Sequence, residues 1–284
     1  MDSTLAAMGL ALMAAAVWGA GDFSGAMATR KANPSGALVI AHGVGMLVLL
    51  LITLARGELT LNARDVQLGV ICGVLIGLGL AALYRAFAVG RMSLVAPIAA
   101  VLSAIIPVLF GIFTQGLPAP IQIVGFVLAF VGIIFISRST SNDKGHGGLG
   151  WAVTAGITIG FYFIVMQQIN AESLFVPLTI VRVVSSALML VFAFVGYRSL
   201  AWIPKGAALP LAALAGVMDI TGSALYVLAG EQGQLSVVAM LAALYPASTV
   251  LLARLILKEQ TNRTQNISIV AIMLAIALVT IGKP

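Results

Sequence analysis

Charge is what this sequence has least of. Only 8% of its 284 residues are Asp, Glu, Lys or Arg, against 61% hydrophobic residues, and the mean hydropathy is +1.12. A water-soluble domain carries about 25% charged residues. This chain cannot clothe a water-facing surface, so a bilayer is its natural solvent. Cysteine is nearly absent. Cys72 stands alone in an apolar run, which excludes a disulfide framework and a cysteine-based metal site and leaves packing against lipid or core. No alternating strand pattern occurs, which excludes a β-barrel. There is no Walker A sequence, no HExxH, no GxSxG, no His/Cys cluster and no potassium-type filter. An ATP-driven pump, an enzyme and a simple channel therefore have nothing to stand on. No cofactor or metal is expected. The net charge of +6 comes from basic residues scattered over short connectors, so nucleic acid is not an expected partner. The first stretch, "MDSTLAAMGLALMAAAVWGAGDF", lacks a basic leader and is long enough to span. It reads as a first transmembrane helix and not as a cleavable signal peptide.

Long apolar runs are what the chain has in abundance. A spanning helix needs about 20 mostly apolar residues. Breaks rich in Gly, Pro or charge separate ten such runs, near 5–27, 36–55, 66–88, 93–113, 119–137, 149–169, 175–197, 207–229, 235–257 and 264–282. The fold class is therefore all-α, with ten transmembrane helices. The longest connector, "SRSTSNDKGHGG" at 137–148, is polar and central and holds His146. It divides the chain into a first five-helix unit at 1–138, a joint at 139–148 and a second unit at 149–284.

The two halves repeat. "SLVAPIAAVLSAIIPVLFGIF" from Ser93 matches "SVVAMLAALYPASTVLLARLI" from Ser236, with Ala96, Ala99 and Ala100 opposite Ala239, Ala242 and Ala243. "ALY" at 82–84 recurs at 224–226. "LVIAHGV" aligns with "LTIVRVV", which sets His42 opposite Arg182. Five is odd, so two copies joined in tandem sit upside down relative to each other, the inverted-topology repeat of many secondary transporters.

"AAAVWGAGDFSGAMATRKANP" resembles the opening helix of the EamA-domain family of the drug/metabolite transporter superfamily. "LSVVAMLAALYPASTVLLARLILKEQTN" is similar to that family's ninth helix with its terminal Glu, here Glu259. "ALYRAFAVGRMSLVAPIAAVLSAIIPVLFGIF" resembles the matching part of its first half. The resemblance covers nearly the whole chain as two tandem domains. It implies ten helices, inverted halves and export of small metabolites, with the substrate unspecified. The first half departs from the pattern, with Gln115–Gly116 where Gly-Glu is expected, and Glu259 is not taken as a site residue.

Five charges lie well inside the runs: Asp22, Arg85, Arg182, Asp219 and Arg254. Each costs about 2.5 to 3.5 kcal/mol at a helix centre unless it is paired or faces a watery cavity. Arg182 lies about 10 Å from one face and Asp219 about 18 Å from the other, at 1.5 Å per residue, so the two share a depth and can pair. As a site, the guanidinium would hold a carboxylate and the Asp an ammonium. As a structural pair, they would only satisfy each other. Asp22 and Arg85 lie near one face and can pair across helices one and three, or snorkel. Arg254, near a helix end, reads as a snorkelling residue. His42 is a cavity candidate whose ordinary pKa of about 6.5 would suit proton coupling. The alternative for it is a satisfied packing residue. Trp18 lies one turn before Asp22 on the same side, Tyr84 and Tyr226 are repeat mates, and Tyr162 and Tyr245 lie inside helices. Such rings suit an amphipathic ligand, or serve as ordinary interior or interfacial aromatics. The candidate substrate-binding set is thus Trp18, Asp22, His42, Tyr84, Arg85, Tyr162, Arg182, Asp219, Tyr226 and Tyr245.

These residues point to a secondary transporter in a cytoplasmic (inner) membrane, working by alternating access around a midplane cavity. The expected partners are the lipid bilayer and a small polar or amphipathic metabolite, amino acids first. Coupling to protons or another ion, and a monomer or homo-oligomer, all fit. An exporter of cationic drugs or polyamines is the rival transporter reading, resting on Asp22 and Asp219. A non-transporting receptor or scaffold is the rival of another class, and the short connectors leave it little surface. The loops after odd-numbered spans hold nine Lys or Arg and the others three. The charge bias places both termini outside, whereas the family resemblance implies both inside.

Overall fold

The computed structural model describes residues 3–29, 31–57, 62–89, 92–138, 148–169, 174–196 and 203–257, with single positions between 263 and 278. The helices are α1 (Ser3–Thr29), α2 (Pro34–Arg56), α3 (Ala63–Val89), α4 (Met92–Gln115), α5 (Pro120–Arg138), α6 (Leu149–Met166), α7 (Phe175–Gly196), α8 (Ala208–Gly230), α9 (Leu235–Ala242) and α10 (Tyr245–Leu257). No strand occurs among the described residues. The first eight match the first eight expected spans to within three residues. Helices α9 and α10 are two pieces of the ninth. The ten-span count therefore stands at nine among the described residues, because the tenth, 264–282, lies largely outside them. So do most of the joint at 139–148, Glu259 and the side chain of Arg254. Among the described residues, seven helices are long and apolar enough to cross a membrane.

Local chemistry sets the helix ends. Asn33 accepts a hydrogen bond from the Ser35 amide at 2.9 Å and Pro34 opens α2, which satisfies and pre-forms the first turn. Gly57, at φ 68°, closes the same helix in the left-handed conformation and donates to the Leu54 carbonyl at 3.1 Å, a position that a β-carbon disfavours. The interruption before α10 has a covalent origin. Pro246 has no amide hydrogen to give the Ala242 carbonyl. Around it the chain tightens into three-residue bonds, from Leu244 to Leu241 at 3.2 Å and from Ala247 to Leu244 at 2.9 Å.

The main helix pairings persist when the halves are exchanged. Helix α1 packs on α8 as α3 packs on α6, and α3 on α7 as α2 on α8. Helix α4 lies on α6 as α1 lies on α9 and α10, while α2 faces α7 and α4 faces α9. Small residues allow these approaches. Gly69, Gly73 and Gly77, one turn apart on α3, take Ile180, Val184 and Leu188 of α7. A side chain on Gly216 of α8 would run into the Ala41 carbonyl of α2. The interior is rich in buried alanine, whereas Leu51, Phe113 and Val195 stand out from the bundle. That inside-out apolar surface is what lipid accepts and water does not.

Candidate functional site

Near the middle of the bundle, α1, α2, α3, α6, α7 and α8 bring polar groups together. Arg182 Nη1 of α7 lies 2.5 Å from Asp219 Oδ2 of α8. Its Nη2 donates to Ser223 Oγ, one turn further along α8, at 3.3 Å. Arg182 is 2% exposed and Asp219 27%. The guanidinium is therefore enclosed while the carboxylate keeps an open side. Trp18 Nε1 of α1 donates to the Asp219 carbonyl at 3.2 Å, which locks α1 against α8. Ser223 also meets the Tyr162 hydroxyl of α6 at 3.4 Å.

Two small cavities open beside this pair, of about 50 and about 40 Å³. They share Trp18, Asp22, Leu80 and Asp219. The larger is closed by Ile76, Leu83, Ile159, Tyr162, Phe163 and Tyr245. The smaller is closed by Gly21, Leu38, Ala41, His42, Tyr84 and Ala215. Asp22 makes no ion pair among the described residues. Beside the cavities lies an aromatic floor. Trp18, Phe163 and Tyr226 stack with centroids 5.1 to 5.7 Å apart, and the Tyr226 hydroxyl donates to the Phe163 carbonyl at 3.3 Å.

A third cavity, of about 360 Å³, lies at the end of the bundle where α1 begins. Gln115, Gln122, Glu231, Gln232 and Gln234 line it beside Thr4 and Ala7. Gln115 Oε1 accepts from the Leu235 amide at 2.8 Å and so caps α9. Ala11, Ala14 and Ala15 of α1 and Leu241 and Ala242 of α9, all at most 3% exposed, form the closed layer between this vestibule and the central cavities.

A family model matches the chain twice, at residues 5–138 and at 146–281, and its description is the EamA-like transporter family. The chain belongs to that family. This EamA-like transporter is thus a multi-pass membrane protein, as its apolar helices require. It is also similar to an uncharacterized protein of Methanocaldococcus jannaschii, 29% identical over 131 residues, which is 46% of this chain and 95% of that one. That relative is about one repeat long. A crystal structure of a protein superposes with a TM-score of 0.78 over 96% of each chain at 16% identity, which shows a shared fold.

Of the ten residues singled out by sequence in this EamA-like transporter, seven line the central cavities: Trp18, Asp22, His42, Tyr84, Tyr162, Asp219 and Tyr245. Arg182 stands behind Asp219, outside both linings. Tyr226 is fully buried in the floor. Arg85 is exposed, lines neither cavity and makes no ion pair with Asp22. It sits one residue from Tyr84, about 100° around a helix of 3.6 residues per turn, which turns it away. Sequence reading passed over Phe163, Ser223 and Ser185. Ser223 follows Asp219 by one turn and was findable by that spacing. Ser185 lies 143 residues after His42, the same offset as Ser93 and Ser236, and bonds His42 Nδ1 at 2.8 Å. Phe163 carried no signal in a helix rich in aromatics.

Proposed function

We propose that this EamA-like transporter is a secondary transporter built of two inverted five-helix repeats. It moves small amphipathic metabolites out of the cell across the inner membrane by alternating access around the cavity at Asp22 and Asp219. The exchange symmetry of the packing and the double family match support the repeat. The closed alanine and leucine layer between vestibule and centre supports a state shut towards the vestibule.

Two substrate readings divide on Arg182. A zwitterion such as an amino acid needs a guanidinium free to fork a carboxylate. Here that group is enclosed and already holds Asp219 and Ser223. An organic cation needs an acid facing the cavity and aromatic faces near it. Asp22 supplies the first, and Trp18, Tyr162 and Tyr245 the second. The observation that carries the conclusion is that Asp22 lines both cavities without an ion-pair partner among the described residues. The favoured substrate is therefore a small amphipathic cation, and amino acids come second.

Counterflow in proteoliposomes tests this. Vesicles loaded with unlabelled organic amines are expected to accumulate labelled amine, with Asp22→Asn removing the signal. Accumulation of amino acids instead, lost with Arg182→Ala in folded protein, would restore the zwitterion.

A further inference from the structure

His42 is 2% exposed and its ring closes one side of the smaller cavity. Its Nδ1 lies 2.8 Å from Ser185 Oγ. The Ser185 hydroxyl has one hydrogen, and it reaches the Arg182 carbonyl at 3.3 Å. A hydroxyl that donates there accepts from Nδ1–H. The neutral ring then carries its lone pair on Nε2. That atom is buried and has no hydrogen-bond partner among the described residues, an unfavourable state for a buried polar group. The same small cavity is faced by the carboxylates of Asp22 and Asp219. His42 and the two acidic residues thus line a space of about 40 Å³, room for one small head group and not for a bulky one.

We infer that this cavity selects primary ammonium over quaternary ammonium, with His42 Nε2 as the acceptor that makes the distinction. The inference rests on the cation reading and deepens it. A primary ammonium has three N–H donors and no acceptor, which complements two carboxylates and an imidazole nitrogen. A trimethylammonium carries the same charge and no donor, and it leaves His42 Nε2 as unsatisfied as before. The neighbouring cavity, walled by Ile76, Leu83, Ile159 and Phe163, takes an apolar tail. Trp18 and Asp22, shared by both cavities, stand at the junction of head and tail. The fitting ligand is a short aryl- or alkylamine. Ser185 is the positioning residue, because it holds the ring in one tautomer.

The probe is radiolabelled 2-phenylethylamine in equilibrium dialysis against the purified full-length chain. It is competed by unlabelled 2-phenylethylamine and by its N,N,N-trimethyl derivative. The wild type is expected to bind the primary amine at least about tenfold more tightly, the worth of one charged hydrogen bond. His42→Gln, whose amide oxygen replaces the Nε2 acceptor, keeps most of that preference. His42→Ala reduces it to less than about twofold by weakening the primary amine alone. Ser185→Ala lowers it part-way with the trimethyl affinity unchanged, and it serves as the second variant should His42→Ala fail to fold. Equal affinity for both amines in the wild type, or an undiminished preference in folded His42→Ala, overturns the role of His42 and leaves the cation reading standing. Binding of neither amine by folded protein overturns both.

Discussion

Asp22 and Asp219 are the same residue type in the same cavity, yet they are held in opposite ways. Asp219 is answered from behind by Arg182 at 2.5 Å, and its backbone carbonyl is held by Trp18. Asp22 faces the same space with no ion pair among the described residues. Removing a charge from water costs several kcal/mol unless something repays it. At Asp219 the protein repays it permanently. At Asp22 no ion pair among the described residues repays it. One carboxylate thus belongs to the scaffold, and on the cation reading proposed above the other serves the ligand.

The contrast can be broken most severely at Arg182. Arg182→Ala leaves Asp219 without its counter-charge and is expected to cost about 3 kcal/mol, seen as a large drop in melting temperature in detergent. Replacing both members, with Arg182→Met and Asp219→Leu, should return stability to within about 1 kcal/mol of the wild type. If the double variant is as unstable as Arg182→Ala, the pair is more than a mutual satisfaction. Asp22→Asn acts on the other arm. It should reduce amine counterflow at least about tenfold, a change of about 1.4 kcal/mol, while the melting temperature stays the same or rises. A fall in stability equal to that of Arg182→Ala would erase the distinction. Ser223→Ala removes one bond to Arg182 and one to Tyr162 and should cost about 1 kcal/mol. Smallest is Tyr226→Phe, which loses only the bond to the Phe163 carbonyl. It should cost at most about 1 kcal/mol of stability and leave amine counterflow intact.

The helices were legible because a span is a local, additive property. Apolar length and its interruptions place helix ends to within a few residues, and α1 to α8 fall where the runs lie. The break at Ala243 and Leu244 was half legible. Pro246 announces a missing donor, but α4 carries Pro97 and Pro107 and is not interrupted. Whether a freed carbonyl opens a helix depends on what its neighbours offer it. The Arg182–Asp219 pair was legible from depth alone, since two mid-membrane charges of opposite sign have few other partners. The same reasoning offered Asp22 a pair in Arg85, beside snorkelling, and the pair is not made, because depth says nothing about which way round the helix a residue points. The Gln115 position shows another limit. As a departure from the family pattern it looked like a loss, yet its amide caps the start of α9.

By itself, the sequence determined that this chain lives in a membrane, that it is helical, that it repeats, and that a few charges lie at depth. Each of these follows from composition and spacing along one helix, where the bilayer supplies the only selection. The tertiary structure alone decided how those charges are used. Rotation about each helix axis and the close approach of α1, α2, α7 and α8 sealed Arg182 behind Asp219. They turned Arg85 outward and left Asp22 and His42 lining one small space. Those outcomes depend on contacts between residues more than 200 positions apart, such as Trp18 with Asp219. No period or motif within one segment can encode them.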